Sequence, residues 1–479
     1  MTDYDKIDFF TDPGVANDIP DYLAHLRTRC PVLREPYHGA FMVTGYDEAM
    51  EVLSTHRSAF SSCVAVTGPI PPLPFTPEGD DLRQQVRQHR KQMPWTDHLA
   101  TMDGPEHAAN RALLTRLLTH SRLKANEDYV CALVVRLVDG LIDRGGCEIT
   151  KDFAHALSTL VIADLLGVPA QDRQELIDLL GLPPTQMGGD AGHKVQSDPL
   201  AFLHERFRGY LRDRQRTPRD DMLTGLVQSR NRDGSEPGID LLTRLACFLF
   251  GAGQDTSARL VAFSFRVLGD NPDIQARLRT EPGRIPDFIE EVLRMENPVK
   301  TLSRLAVEST AIGGVDVPAG SVVTVHIGGA NRDPKHFTDP DRFDFDRPGV
   351  RDHISFSRGS HACLGAPLAR MEVRVALETF LERTSDIRIS QAHHAGRTRR
   401  TPPLMRIFRE KTRQFVADGH CFHLGLGCRG FGLWLIAKVF SVCSAGSGSS
   451  IRSSRGQHRV FPENLSVRNS NLRVMIAGH

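Results

Sequence analysis

The feature that most constrains this chain is a cysteine between two glycines, placed directly before a helical pattern. In FSRGSHACLGAPLAR, residues 356–370, Gly359 permits a tight turn and Gly365 leaves room for a bulky group against the backbone. Pro367 is tolerated in the first helical turn, because its missing N–H would have no partner there. We predict a rigid loop that presents Cys363 beneath N–H groups, as a metal-bound thiolate with tuned electron donation requires. In other contexts a lone cysteine is more often a small buried hydrophobic residue.

The rest of the chain is predicted to be mainly α-helical with small marginal β-sheets. Apolar residues recur at three- and four-residue spacing in 126–145 and 286–298, whereas strand-like runs are short and fall in 40–46 and 311–328. Of the 479 residues, 40% are hydrophobic and 24% are charged, which excludes a wholly disordered or fibrous chain. The net charge of +1 argues against a protein that binds nucleic acid through bulk charge.

The end of the chain differs in composition from the rest. Residues 411–479 hold nine Lys or Arg and two Asp or Glu, and they contain much Gly and Ser without a sustained period. We therefore predict one domain over 1–409 and a basic, poorly ordered tail over 410–479. The tail holds two histidines and two cysteines close together: His420, Cys421, His423 and Cys428. They lack paired Cys-x-x-Cys spacing, so a zinc protein is a distant alternative.

The sequence predicts a cytoplasmic protein without a membrane span. The first residues, MTDYDKIDFFTDPG, are acidic and lack the basic start and apolar core of a secretion signal. No run of 18 uninterrupted apolar residues is present. The nine cysteines are scattered along the chain and do not form a dense disulfide framework.

A second motif places an acid beside an alcohol in a long apolar helical stretch. In GAGQDTSARL, residues 251–260, Asp255 precedes Thr256, whose hydroxyl can donate to a carbonyl one turn earlier. Polar groups inside an apolar helix are costly unless they serve a function, so we predict a buried proton relay. The alternative is a bend of the helix that faces solvent.

These two motifs resemble those of bacterial-type soluble cytochromes P450. The cysteine loop is similar to the haem-binding signature Phe-x-x-Gly-x-His/Arg-x-Cys-x-Gly, and residues 252–256 are similar to the family's Ala/Gly-Gly-x-Asp/Glu-Thr motif. The matching positions of the loop are Phe356, Gly359, His361, Cys363 and Gly365. Ser357 stands where the family often has Gly. The resemblance extends over roughly residues 15–408.

The resemblance implies the cytochrome P450 fold and a haem b cofactor, iron protoporphyrin IX. Cys363 would be the axial ligand of the iron. Four residues lie where the family places donors to the haem propionates: His107, Arg111, Arg304 and His361. Glu291 and Arg294 are three residues apart on one helix face, and the resemblance implies a structural network that Arg342 in the segment PDRF completes.

The resemblance implies a monooxygenase that activates O2 and inserts one oxygen atom into a lipophilic small molecule, such as a terpenoid, steroid or aromatic compound. Asp255 and Thr256 would deliver protons. The pocket wall is predicted from the irregular segment 61–100 and from residues around the two motifs and the Glu291 helix. The candidate wall residues are Ile70, Leu73, Phe75, Trp95, Leu249, Ala252, Val299 and Leu302.

Electrons are expected from an external ferredoxin or flavodoxin with its reductase. The sequence has neither a flavin fingerprint nor the cysteine spacing of an iron–sulfur protein. Basic residues near the cysteine loop and after His107 could contact such an acidic partner. They are Arg111, Arg116, Arg122, Lys124, Arg358 and Arg374.

Two other functions remain open at this point. A peroxide-driven haem-thiolate peroxygenase would not need the acid–alcohol pair, so the presence of Asp255 and Thr256 favours the O2-dependent enzyme. A haem-binding sensor without catalytic activity would need neither the relay nor a substrate pocket. Product formation with peroxide but not with reductant and O2 would identify the peroxygenase, and absence of any turnover would favour the sensor.

Overall fold

The computed structural model describes residues 4, 7–10, 12, 19–54, 59–65, 73–93, 95–180, 200–389 and 404–409. The helices in this part of the chain are α1 (Ile19–Arg29), α2 (Tyr46–Leu53), α3 (Arg83–His89), α4 (Gly104–Thr115), α5 (His120–Ile142), α6 (His155–Leu166), α7 (Arg173–Leu180), α8 (Ala201–Arg216), α9 (Met222–Val227), α10 (Ile239–Asp270), α11 (Pro272–Thr280), α12 (Ile285–Glu296), α13 (Ile327–Ala330) and α14 (Ala366–Arg383). The strands are β1 (Val32–Arg34), β2 (Phe41–Val43), β3 (Phe60–Ser61), β4 (Gly146–Glu148), β5 (Thr301–Ala306), β6 (Thr310–Ile312), β7 (Val315–Val317), β8 (Val322–His326), β9 (Thr384–Ile389) and β10 (Leu404–Arg409). The predicted mainly α fold with small sheets is confirmed.

The helical core is built around α10, which is 32 residues long. Apolar side chains cover most of its circumference, so α10 packs against α6, α8, α12 and α14. Three phenylalanines join these elements: the Phe380 ring centroid lies 4.5 Å from that of Phe265 and 5.0 Å from that of Phe153. The packing of α10 on α14 brings the acid–alcohol motif and the helix that follows Cys363 into one core.

Three small sheets lie beside the helices. The largest has the order β1-β2-β8-β5-β3, in which β2 and β8 are parallel and the other pairs are antiparallel. Strands β4, β10 and β9 form a second, antiparallel sheet, and β6 and β7 form a hairpin. The hairpin turns at Gly313 and Gly314, whose φ angles of 54° and 82° suit the two-residue turns that require glycine.

The observed elements agree with the predicted patterns except at their boundaries. The pattern in 126–145 belongs to α5, which starts earlier, at His120, and ends at Ile142. The pattern in 286–298 is α12, and 311–328 contains β6, β7 and β8. In 40–46 the strand is shorter than predicted, because Tyr46 already starts α2.

Two predictions cannot be compared with the structure. Ile70 and the tail over 410–479, including its histidine and cysteine pairs, lie outside the described residues. Within the described segments, no helix combines the length and apolar character that crossing a bilayer requires.

Candidate active site

The cysteine loop is held in a compact shape by its own backbone. The Cys363 N–H donates to the Phe356 carbonyl at 2.8 Å, and Gly359 has a φ of 68°, in the left-handed region. Ser357 also has a positive φ, 59°, which costs a non-glycine residue conformational energy. This explains why glycine is often found at that position in the haem-binding signature that this loop resembles. The helix α14 then begins at Ala366, with Pro367 in its first turn.

The sulfur of Cys363 receives hydrogen bonds at the start of α14. Desolvation by the surrounding protein raises the pKa of Cys363, while the backbone N–H groups of Gly365 and Ala366 lower it. The charge of Arg111 acts in the same direction as these N–H groups. Because desolvation is the larger effect, the thiolate needs a further positive charge to be stable, and a bound metal ion provides one.

Four of the predicted donors converge beside this loop. The rings of His107 and His361 stack with their centroids 4.0 Å apart, and Nε2 of His361 lies 3.0 Å from the Ser62 hydroxyl. Arg111 Nη2 donates to the Ala362 carbonyl at 2.5 Å. Arg304 reaches the same region from β5, where it is buried and donates to the Ser303 carbonyl.

The charge balance of this cluster suits a ligand that carries carboxylates. Nε2 of His107 is buried without a hydrogen-bond partner among the described residues. Burial lowers the pKa of Arg304 to about 10, and burial together with the Arg304 charge lowers that of His361 to about 3. The carboxylate that most favours the charge on Arg304 is Asp103, at the start of α4. Two propionates would supply the missing acceptors and negative charge, so these residues fit haem b.

Sequence analysis missed Asp103 and Ser62 at this site. Asp103 accepts hydrogen bonds from the Ser61 hydroxyl and the Ser62 backbone N–H, and it lies 3.9 Å from Nε2 of His361. Its position directly before the Gly-Pro pair that starts α4 is a helix-capping signal, although its side chain makes no capping bond. Nothing in the local sequence indicates that β3 brings the two serines to Asp103.

On α10, the acid–alcohol motif has the predicted local bond but not the predicted burial. Thr256 Oγ1 donates to the Ala252 carbonyl, one turn earlier, at 2.9 Å. Asp255 Oδ2 pairs with Arg259 Nε at 2.8 Å, and the Asp255 side chain is 49% exposed. The expectation that the acid is buried is therefore wrong. Asp255 and Arg259 are four residues apart and share a helix face that the core does not cover.

The ion-pair network predicted around Glu291 has a different third member. Arg294 forms two hydrogen bonds with Glu291, at 2.7 and 2.8 Å, and both side chains are fully buried. The Arg342 side chain is 70% exposed and lies near Asp344, so its predicted place in the network is wrong. Arg347 occupies that place.

The backbone explains why Arg342 is excluded from this network. Its carbonyl faces inward and accepts from Arg347 Nη2 at 2.8 Å and from Arg294 Nη2 at 3.4 Å. The side chain of Arg342 therefore points out. The sequence DPDRFDFDRPG contains two Asp-Arg pairs five residues apart, and the motif alone does not say which arginine turns inward.

One group of predicted pocket residues reaches α10. Leu249 is buried in the main core, and Ala252, one turn before Thr256, is exposed. The Trp95 ring lies 4.9 Å from that of His98, which in turn lies 6.4 Å from the ring of Phe248 on α10. Through His98, Trp95 is thus connected to Phe248, which lies two turns before Thr256 on α10.

The other predicted pocket residues lie in different places. Leu73 and Phe75 pack on a cluster that includes Val86 and Met93. Leu302 packs on the cluster under the largest sheet, and Val299 is half-buried between α12 and β5. The structure does not gather all these side chains on one wall.

A mainly α fold in which a cysteine loop meets a group of cationic donors defines a haem-thiolate protein. A family model described as Cytochrome P450 matches residues 182–385. The 6-deoxyerythronolide B hydroxylase of Saccharopolyspora erythraea is 35% identical over 369 residues, covering 75% of this chain and 87% of that protein. The chain belongs to the cytochrome P450 family. It is an oxidoreductase, a monooxygenase whose cofactor is haem b.

Solved structures agree with this assignment. Mycobacterium marinum cytochrome P450 CYP150A6 in the substrate-free form has a TM-score of 0.76 and 47% sequence identity, covering 84% of this chain and 97% of that chain. CYP109E1 from Bacillus megaterium in complex with corticosterone has a TM-score of 0.66 and 25% identity, covering 79% of this chain and 94% of that chain.

Proposed function

We propose that this monooxygenase hydroxylates a medium-sized lipophilic substrate of terpenoid, steroid or aromatic type. The observation that carries the proposal is a series of aromatic rings, Trp95, His98 and Phe248, that reaches α10 one turn before the exposed Ala252. An aromatic ring and a small side chain leave an apolar space of the kind that binds such molecules. The similarity to a hydroxylase of 6-deoxyerythronolide B and to a protein in complex with corticosterone supports a lipophilic substrate of this kind.

The chain supplies cofactor binding and proton movement for this reaction. When bound, the haem iron supplies the oxygen chemistry of the reaction. His107, Arg111, Arg304 and His361 would hold the propionates, and Cys363 would hold the iron. The half-exposed Asp255 carboxylate can take protons from solvent, and Arg259 fixes its orientation. Thr256 donates to the Ala252 carbonyl and must turn away from it to pass a proton to the site.

A substrate screen tests the proposed substrate class. Purified holoprotein is titrated with steroids, terpenoids and simple aromatic compounds, and the spin-state change of the haem is followed by absorbance. Compounds that produce the change are then incubated with O2 and a reductase system, and products are identified by mass spectrometry. Binding and hydroxylation of at least one of these classes support the proposal. Turnover restricted to polar compounds would contradict it.

We also propose that an acidic ferredoxin or flavodoxin delivers the electrons at the side of the protein next to the cysteine loop. A cavity of about 310 Å³ lies there, and Pro367, four residues after Cys363, lines it. Five basic side chains also line this cavity: His120, Lys124, Arg351, Arg370 and Arg374. The excess of basic over acidic side chains favours a negatively charged partner.

Charge reversal tests this docking surface. Lys124→Glu changes an exposed residue that lines the cavity, and Arg116→Glu changes an exposed basic residue between α4 and α5. Arg230→Glu, on the segment before α10, is the control. At low salt we expect reduction by a ferredoxin system to slow several-fold in the first two variants and to stay unchanged in the control. Equal rates in all three variants would contradict this docking surface.

Turnover with hydrogen peroxide that exceeds turnover with reductant and O2 would favour the peroxygenase. The cytoplasmic location stays a prediction, which cell fractionation can check.

A further inference from the structure

An ion pair between a buried carboxylate and a partly exposed arginine joins α12 to α14 beside the cysteine loop. Glu290 is 1% exposed and accepts two hydrogen bonds from Arg370, from Nε at 2.6 Å and from Nη2 at 2.8 Å. Nε2 of His353, in the segment before Cys363, lies 3.0 Å from the same carboxylate. Three parts of the chain therefore meet at Glu290.

The hydrogen bonds determine the protonation states of His353 and Glu290. Nδ1 of His353 accepts from the Ser355 backbone N–H at 3.2 Å, so Nε2 carries the proton that it donates to Glu290. Burial lowers the pKa of His353, which stays neutral. Burial would raise the pKa of Glu290, but the bonds from Arg370 and His353 lower it to about 2. Glu290 is therefore an anion that holds the Arg370 cation in place.

Arg370 lies where its charge acts on the cysteine sulfur. Its guanidinium carbon is 4.6 Å from the centroid of the Phe356 ring, and the Phe356 carbonyl accepts the Cys363 N–H. Arg351, at the surface, adds a second cation 3.5 Å from Glu290. A cation that is paired with Glu290 thus lies beside the loop that holds the sulfur.

We propose that Glu290 and Arg370 set the reduction potential of the haem iron. Arg370 is the charge that stabilises electron density on the sulfur and so favours the reduced iron. Glu290 is the buried anion beside this guanidinium and offsets part of its charge. The proposal rests on Cys363 as the iron ligand and does not concern the substrate. Arg351 and Arg370 also line the proposed docking cavity, so the potential is measured without an electron partner.

Opposite shifts of the potential distinguish this role from a structural one. Potentiometric titration of the holoprotein is made for wild type, Glu290→Gln, Arg370→Gln and the double variant. We expect an upward shift for Glu290→Gln, because a negative charge is lost, and a downward shift for Arg370→Gln, because a positive charge is lost. The double variant should lie between them. Arg383→Gln, at the end of the same helix and paired with Asp139 at the surface, is the control and should not shift.

Two further variants keep the test decisive if Arg370→Gln loses haem. Arg370→Lys retains the charge and should stay near the wild-type potential. Arg351→Gln removes the exposed cation and should shift the potential slightly downward. The spectrum of the reduced carbon monoxide complex must keep its thiolate form in every variant, which separates a failure of this proposal from a failure of cysteine ligation. Shifts in the same direction for the Glu290 and Arg370 variants, or shifts no larger than that of the control, would overturn the proposal.

Discussion

Nε of Arg347 lies 3.5 Å from Oε1 of Glu291, and the two side chains are 7% and 0% exposed. Glu291 also accepts from Arg294, so one buried anion faces two buried cations. The remaining N–H groups of Arg347 donate to backbone carbonyls, including that of Asp339 at 2.9 Å. The pairing connects α12 to the segment that leads to the cysteine loop. The other hydrogen bonds of both side chains are also made with protein groups.

We expect Arg347→Ala to destabilise the protein by about 3–5 kcal/mol, because it leaves the Glu291 carboxylate partly unpaired in the core. Arg342→Ala is the matched control: its exposed side chain should contribute no more than about 0.5 kcal/mol. Urea unfolding of the holoprotein, followed by circular dichroism, measures both. Equal destabilisation by the two variants would contradict this network.

The contrast between Arg294 and the pair Arg342 and Arg347 shows which parts of this network the sequence predicts. The three-residue spacing of Glu291 and Arg294 places them on one helix face, so their pairing follows from helical geometry alone. Arg342 and Arg347 lie in an irregular segment without a period, and the turns of that segment decide which side chain points inward. The sequence therefore predicts pairs within one helix better than pairs across a loop.

A similar limit applies to the residues around the cofactor. The cysteine loop could be predicted, because its glycines and the proline after it act over a few residues. The approach of Asp103 to His361 depends on how the start of α4 and the cysteine loop meet, and no local sequence pattern indicates this. The exposure of Asp255 was missed for the same reason: the apolar residues around it indicate a buried helix but not which face lacks a neighbour.

Replacement of the cysteine ligand gives the most direct test of haem binding. Cys363→Ala should lose the thiolate form of the reduced carbon monoxide spectrum, because no sulfur remains at that position of the loop. Cys63→Ala is the matched control. Cys63 is also near the site, but burial raises its pKa to about 11, so it stays a neutral thiol. If Cys63→Ala lost the signature and Cys363→Ala kept it, the ligand assignment would be wrong.

Arg304 should contribute strongly to retention of the cofactor. Its buried guanidinium lies within a group of donors that outnumber the single nearby carboxylate, Asp103, so a propionate would form a charge-assisted bond there. Such bonds are worth about 1.5–3 kcal/mol, and we expect Arg304→Gln to lose haem to apomyoglobin about ten- to a hundredfold faster. Arg230→Gln, outside the site, should match wild type. Equal rates of haem loss for wild type, Arg304→Gln and Arg230→Gln would show that Arg304 does not bind a propionate.

Thr256→Ala should uncouple oxygen consumption from product formation. The hydroxyl that can pass a proton is lost, so less product and more hydrogen peroxide should form for each O2 consumed, with haem content unchanged. Thr256→Ser keeps a hydroxyl on the same carbon and should restore most of the coupling. Oxygen-electrode and peroxide assays in parallel give both quantities. Unchanged coupling in Thr256→Ala would show that this hydroxyl is not part of the proton route.

Glu372 should make the stability of the protein depend on pH. The residue lies on α14 and is almost fully buried, and neither carboxyl oxygen has a hydrogen-bond partner among the described residues. Burial raises the pKa of Glu372 from 4.5 to about 8, and the nearby Ser257 hydroxyl on α10, which does not reach hydrogen-bond geometry, lowers it by less. Between these two values the folded protein holds a proton that the unfolded chain releases. The free energy of unfolding therefore falls as the pH rises through this window.

Glu372→Gln removes the titrating group and keeps its shape. At pH 5 the variant and wild type should have similar stability, because the wild-type carboxyl is protonated in the folded state. At pH 9 the variant should be more stable by a few kcal/mol, since each unit of pKa shift corresponds to about 1.4 kcal/mol. Urea unfolding at both pH values measures the difference, and Glu382→Gln, at an exposed position of the same helix, is the control. If the Glu372→Gln and wild-type stabilities stayed parallel from pH 5 to pH 9, the carboxyl would not be held neutral by burial against α10.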